Sequence, residues 1–279
     1  MPAEPDSRTD LEGERETHRG GAAKAGHEKH AFADEPRKTE EDRLLAAKSV
    51  IERVLGRRGG EHWAAFEFEL ERDREITCLE QWARDSDCWL ESELPERWGS
   101  SETFGEHDIV QKEHRIWKAT KPQNRTGKLR FGVYPNCLRR GMADPVDQLK
   151  QQSGTPYQYL TRLELLNRWC SGPSVAGGMA LTRLEGFALV AGRLSIITSQ
   201  PFFQRVRHLD DASLSNWLRG LGFRSVTMGI WYDPEMNLAL FDVKPANVIL
   251  CQGVVIPVDV IPIEPQGHMR DVLNQAVAH

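Results

Sequence analysis

The sequence predicts an α+β fold in two lobes, and three observations lead there. Apolar residues recur at helical spacing over about 41–57 and 75–84. Strand-like runs dominate from about residue 99 to about residue 200, with one strong helix inserted. A further helix and short apolar runs separated by turn residues follow. Helices and strands are therefore segregated rather than alternating as βαβ units.

Each element has its own signal. Residues 1–43 hold Met1, Leu11 and Phe32 as their large apolar side chains and read as a disordered tail, which buries too little to offset its ordering entropy. Leu44, Leu45, Val50, Ile51, Val54 and Leu55 predict a helix over 41–57, ended by Gly56 or Gly59. Ile76, Leu79 and Trp82 predict a second over 75–84. The segment 89–98 fits no single element, and Pro95 opens a helical turn in it. Residues 99–105 are turn-rich. They lead into a hairpin of 108–110 with 115–120. Residues 121–154 read as an irregular loop with short strands around 129–133.

Thr155 caps the strongest helix and Pro156 suits its first turn. Its apolar face is Tyr159, Leu160, Leu163, Leu166 and Trp169, and Ser171-Gly172-Pro173 stops it. Strands over 182–190 and 194–198 flank an Ala191-Gly192 turn. A helix over 213–221 precedes strands at 226–232, 238–241, 248–251 and 254–260, the last two joined by Gln252-Gly253. A helix over 269–277 closes the chain. The domain reading is a tail (1–43), a helical segment (44–98), a strand-rich lobe (99–200) and a second lobe (201–279).

Composition excludes several function classes. With 279 residues and 39% hydrophobic content the chain can bury a real core. The net charge of -5 argues against a chain-wide nucleic-acid surface. The basic loop 121–140 therefore reads as solvated rather than as a nucleic-acid contact. Five cysteines, none in CxxC, argue against a disulfide framework or structural zinc site and for a reducing cytoplasm. No apolar run suits a membrane span, and the first residues lack the apolar stretch of a secretory signal.

The chemistry concentrates between 240 and 260. Asp242, Lys244 and Asn247 share a tight loop between apolar runs, and Asp259 follows the next hairpin. Phosphoryl transfer needs such a set: one carboxylate for the attacking hydroxyl, a lysine for the transferred charge, and an amide oxygen and second carboxylate for Mg²⁺. Taken alone, the loop also fits a polar turn. Lys118 beside Trp117 also fits a snorkelling surface lysine, with Lys121 a competitor for its role. Glu164 fits a solvated helix face, and His107 a surface turn. Together, Lys118, the loop and Asp259 favour chemistry.

Asp-x-Lys-Pro-x-Asn, an apolar hairpin and a further Asp resemble the catalytic loop and metal-binding Asp of the protein-kinase superfamily. More narrowly, the chain resembles the compact kinase-like domains of polyvalent proteins in phages and mobile genetic elements. The similarity runs from about residue 79 to 262. It includes Phe104-Gly-Glu-His-Asp-Ile-Val, Trp117-Lys-Ala-Thr-Lys-Pro122, Thr155-Pro-x-x-Tyr-Leu, Ile197-Thr-Ser-Gln-Pro201, Gly229-Ile-Trp-Tyr232 and Pro257-Val-Asp-Val260. The resemblance implies a minimal bilobal kinase fold, with an antiparallel-sheet N-lobe carrying one helix and a much reduced C-lobe. It implies ATP and Mg²⁺ as cofactors and a protein Ser/Thr/Tyr or small-molecule acceptor. The turn ending at Gly105 would cover the phosphates, Lys118 would pair with them, and Glu164 would be its ion-pair partner. Residues 197–202 would form the hinge, with Gln200 near its entrance. Asp242 would be the base, Lys244 the stabilising cation, Asn247 and Asp259 the metal ligands.

The sequence also departs from the pattern. Leu240-Phe241 stand where eukaryotic kinases have His-Arg, so activation-loop control loses its acceptor. Val260-Ile261 replaces Phe-Gly, and the turn before Gly105 lacks G-x-G-x-x-G. The rivals are therefore a nucleotide-binding pseudokinase and an interaction module. Convergence of Lys118, Asp242, Asn247 and Asp259 on one cleft is the feature that separates them.

Overall fold

The computed structural model describes residues 38–55, 65–90, 105–121, 131–137, 145–172, 175–176, 181–204 and 206–278. These lie in one compact unit, Pro36–His279. The expectations for residues 1–37, 91–104, 122–130 and 138–144 lie outside the described residues, including most of the turn before Gly105 and of the basic loop.

The chain opens with α1 (Lys38–Leu55) and α2 (Ala65–Asp85). Both start earlier than the apolar spacing indicates, α1 inside the stretch read as tail. α1 opens on Lys38-Thr39-Glu40-Glu41, which carries no apolar signal, whereas α2 opens on Ala65-Phe66-Glu67-Phe68, whose apolar residues the predicted start at 75 leaves out. The expected hairpin forms as β1 (His107–Lys112) and β2 (Arg115–Thr120), with Ile109 opposite Lys118. The stretch read as an irregular loop contains a second hairpin, β3 (Val133–Cys137) and β4 (Leu149–Ser153), with a 3-10 turn at Pro145–Gln148.

α3 (Pro156–Cys170) begins as its sequence dictates. The Thr155 side chain accepts from the Gln158 N–H, and the Gln158 side chain accepts from the Thr155 N–H. β5 (Arg183–Val190) and β6 (Arg193–Pro201) are joined at Ala191-Gly192, both at positive φ, the conformation of a tight hairpin turn. The first sheet has the order β1-β2-β6-β5 and is antiparallel. α1, α2 and α3 cover it: Leu44, Ile51, Leu79, Leu160 and Leu163 pack with Phe187 and Ile196 in one core.

β7 (Arg207–His208) is a two-residue strand that the sequence pattern does not reveal. α4 (Asp211–Gly220) starts two residues before expectation because Asp210 caps it; the Asp210 carboxylate accepts from the Ser213 N–H. The run 226–232 is two strands, β8 (Arg224–Thr227) and β9 (Ile230–Asp233), because Gly229 at φ +76° permits a turn. β10 (Leu238–Phe241) and β11 (Val248–Cys251) fall where expected. β12 (Val254–Pro257) ends before Asp259, and β13 (Ile261–Ile263) crosses to pair with β10. α5 (Gly267–Val277) closes the described chain.

The second sheet runs β13-β10-β9-β8, and a three-stranded sheet runs β12-β11-β7. α3 joins the two halves of the packing. Its first turns sit in the core under the first sheet. Its last turns, with Leu166, Trp169 and Cys170, pack against Leu218, Phe223, Leu240 and Ile256. Trp169 meets both Trp217 and Phe223, at 6.0 and 5.8 Å between ring centroids.

Candidate active site

Asp242 follows β10 with a φ of +53°. Asp is among the few side-chain-bearing residues that tolerate this region, and such conformations gather at functional loops. A 3-10 turn, Pro245–Asn247, begins just after it. Asn247 is buried and returns its amide onto the start of the loop. Its Nδ2 donates to the Asp242 carbonyl oxygen and to Oδ2, each at 2.7 Å, and to the Asp259 carbonyl at 3.2 Å. Three acceptors around one atom assign it as the nitrogen. Among the described residues Oδ1 of Asn247 has no hydrogen-bond donor. Lys244 closes onto the same carboxylate, with Nζ at 2.9 and 3.0 Å from the two Asp242 oxygens.

The hairpin β11–β12 carries the chain back to this loop. The Gln252-Gly253 turn has both residues at positive φ, and the register pairs Val248 with Pro257. The Val258 and Asp259 N–H groups then donate to the Asn247 carbonyl at 2.9 and 3.4 Å. Residues that are distant in sequence thus become neighbours through one tight turn.

Lys118 enters from β2. Its Nζ lies 3.3 Å from the Val258 carbonyl and 3.8 Å from Oδ1 of Asp259. Burial lowers its pKa, with Asp259 acting in the opposite sense. Arg162 enters from α3. Its Nη1 is 2.9 Å from Oε2 of Glu106, and its Nη2 is 3.5 Å from Oδ1 of Asp259. Burial would push the Asp259 pKa up, but Lys118 and Arg162, then His107 and Lys244, hold it below the ordinary carboxylate value. Burial likewise works against the Arg162 charge, and Glu106 and Asp259 outweigh it.

Lys118, Asp242, Asn247 and Asp259 are therefore brought together. Glu164 is not placed with them: it pairs with Lys48 of α1. Helical periodicity explains the difference. Arg162 lies on the same stripe as Tyr159, Leu163 and Leu166, whereas Glu164 falls on the α1 side. Arg162 and Glu106 were missed by sequence reasoning; the usable signal was a charge on the apolar stripe of α3. Gln200 lies near the end of β6, opposite Ile116. Gly105, at φ +133°, precedes β1 and is exposed. His107 is buried and shares a hydrogen bond with the Tyr159 hydroxyl at 2.8 Å, which corrects its reading as a surface turn residue. Lys121, the alternative to Lys118, has its Nζ 3.4 Å from Oδ1 of Asp108 on β1.

Among the described residues no group of three or more His, Cys, Asp or Glu is placed to hold a metal. The donor chemistry of Asn247 Oδ1 and the anionic, half-exposed Asp259 carboxylate nevertheless suits Mg²⁺, which takes few protein oxygens and fills its shell with water and phosphate.

Searches of curated proteins and of solved structures found no match. A family comparison did, over a segment from α3 to β13 that contains Arg162, Asp242, Asn247 and Asp259 but not Glu106 or Lys118. Over residues 156–263, less than half of its length, the chain matches the family described as Serine/Threonine/Tyrosine Kinase found in polyvalent proteins, as its catalytic-loop motif led us to expect.

Proposed function

We propose that the chain is an ATP- and Mg²⁺-dependent phosphotransferase with a minimal bilobal kinase arrangement. The sheet β1-β2-β6-β5 with α3 forms the nucleotide-side lobe, and the elements from α4 onward form a reduced second lobe. The observation that carries this reading is the convergence of Lys118, Asp242, Asn247 and Asp259 from separate stretches of chain.

Each side chain has a task there. Asp242, fixed by the Asn247 amide, orients the acceptor hydroxyl and receives its proton at a carboxylate oxygen. Lys244, already beside that carboxylate, steadies the charge of the phosphoryl group in flight. Lys118 turns its ammonium from Asp259 to the nucleotide phosphates. Asn247 Oδ1 and Asp259 are the metal ligands. When bound, Mg²⁺ would neutralise charge on the phosphate oxygens. The acceptor is a hydroxyl on a protein or a small molecule. The proposed setting is cytoplasmic, in keeping with five free cysteines. No described helix is long and apolar enough to cross a membrane.

A pseudokinase is the second reading, favoured by one observation: two cations, Lys118 and Arg162, engage the Asp259 carboxylate. Thermal denaturation with Mg²⁺-ATP tests nucleotide binding, which both readings share. At ATP about 100-fold above Kd, wild type gains about 3 kcal/mol. Lys118→Met removes most of that gain. An equal gain in wild type and variant would overturn the placement of the nucleotide at Lys118.

A further inference from the structure

The Arg162 guanidinium is enclosed on several sides. Its side chain is 6% exposed. The Tyr159 ring centre lies 5.9 Å away. The backbone at Gly132 presses close: a Cβ there would lie 3.1 Å from Oε2 of Glu106 and 3.4 Å from Nη1 of Arg162. Glu106 is itself anchored, because its Oε1 accepts from the Val133 N–H at 2.9 Å. Two carboxylates therefore share one buried cation. Glu106 holds it at 2.9 Å and is largely covered, while Asp259 touches it at 3.5 Å and is half-exposed.

We propose that Arg162 is a positioning residue that sets how strongly Asp259 is withheld from a divalent cation, and that Glu106 sets the strength of that hold by competing for the same guanidinium. This rests on the reading of Asp259 as a metal ligand. The physical reason is that a desolvated guanidinium keeps its full charge and must spend it on the carboxylates within reach. With the Glu106 carboxylate 2.9 Å from Nη1, part of the charge is engaged away from Asp259. Neutralise Glu106 and the whole of it falls on Asp259. Remove both Glu106 and Arg162 charges and Asp259 retains Lys118, with His107 and Lys244 as weaker influences.

The test measures Mn²⁺ binding to the full chain without nucleotide, by electron paramagnetic resonance titration. Glu106→Gln is expected to weaken Mn²⁺ affinity by about tenfold, and Glu106→Gln with Arg162→Gln to bind at least as tightly as wild type. A purely structural role would move both variants in the same direction. Asp259→Asn is the control and should abolish binding. If it does, while the single and double variants shift together or not at all, the competition is overturned and the metal reading stands. If Asp259→Asn binds Mn²⁺ like wild type, or wild type does not bind it, the metal reading falls and the proposal falls with it. Thermal unfolding of each variant identifies any that fail to fold. For such a case, Glu106→Gln combined with Asp259→Asn serves in metal-free protein: stranding Arg162 should cost more than the two single changes added, and simple additivity would refute the sharing.

Discussion

Glu75 on α2 is a buried carboxyl whose removal tests the packing of α2 against the start of α3. It is 6% exposed and accepts from the Tyr157 N–H at 2.7 Å, at the start of α3. Burial pushes its pKa from an ordinary 4.5 to about 7. An acid with a higher pKa when folded binds its proton more tightly in the folded state. Its contribution to stability is therefore complete below about pH 4.5 and is lost as pH rises through about 7. The shift corresponds to about 3 kcal/mol between those limits. Glu75→Gln keeps an acceptor oxygen for Tyr157 and removes the ionisation. We expect the variant to gain about 3 kcal/mol on wild type in going from pH 4.5 to pH 8, roughly 6–12 °C in relative Tm. The assay is thermal unfolding of both proteins across that range. A Tm difference that does not change with pH would refute the reasoning, because it would mean that Glu75 ionises alike in both states.

Other changes probe the fold and the site. Gly186→Ala places a Cβ 2.5 Å from the Cys88 carbonyl, at the bridge between Trp89 and Phe187, and should cost about 2 kcal/mol or more in denaturant unfolding. Glu164→Gln breaks only the pair with Lys48. It should cost about 1 kcal/mol and leave ATP affinity unchanged, whereas loss of ATP binding would restore it as the partner of Lys118. Asn247→Ala strands the Asp242 and Asp259 acceptors. It should cost about 2 kcal/mol and lower turnover by roughly a hundredfold.

Local rules made much of this fold legible. Thr155 and Pro156 mark the start of α3 because capping and the first helical turn are properties of adjacent residues. Ala191-Gly192 and Gln252-Gly253 mark hairpins for the same reason. What escaped depends on distant partners. β7 is two residues long and exists through its pairing with β11. β13 is defined by pairing with β10. The loop motif indicated Asp242, Lys244 and Asn247 together because they share one turn. The motif could not say which α3 side chain reaches Asp259. Glu164 looked suitable by type, yet the helical period turns it to Lys48 and gives the inward place to Arg162. Glu106 gives no sequence signal, since its role comes from Arg162 lying opposite it.

The most direct test of the central claim is ATP turnover with label on the γ-phosphate, in the presence of Mg²⁺, for wild type, Asp242→Asn and Asp259→Asn. The account predicts transfer or hydrolysis in wild type and its loss in both variants, with the variants still folded. Turnover that survives Asp242→Asn would contradict it, and so would a wild type that binds ATP through Lys118 yet never releases or transfers the label.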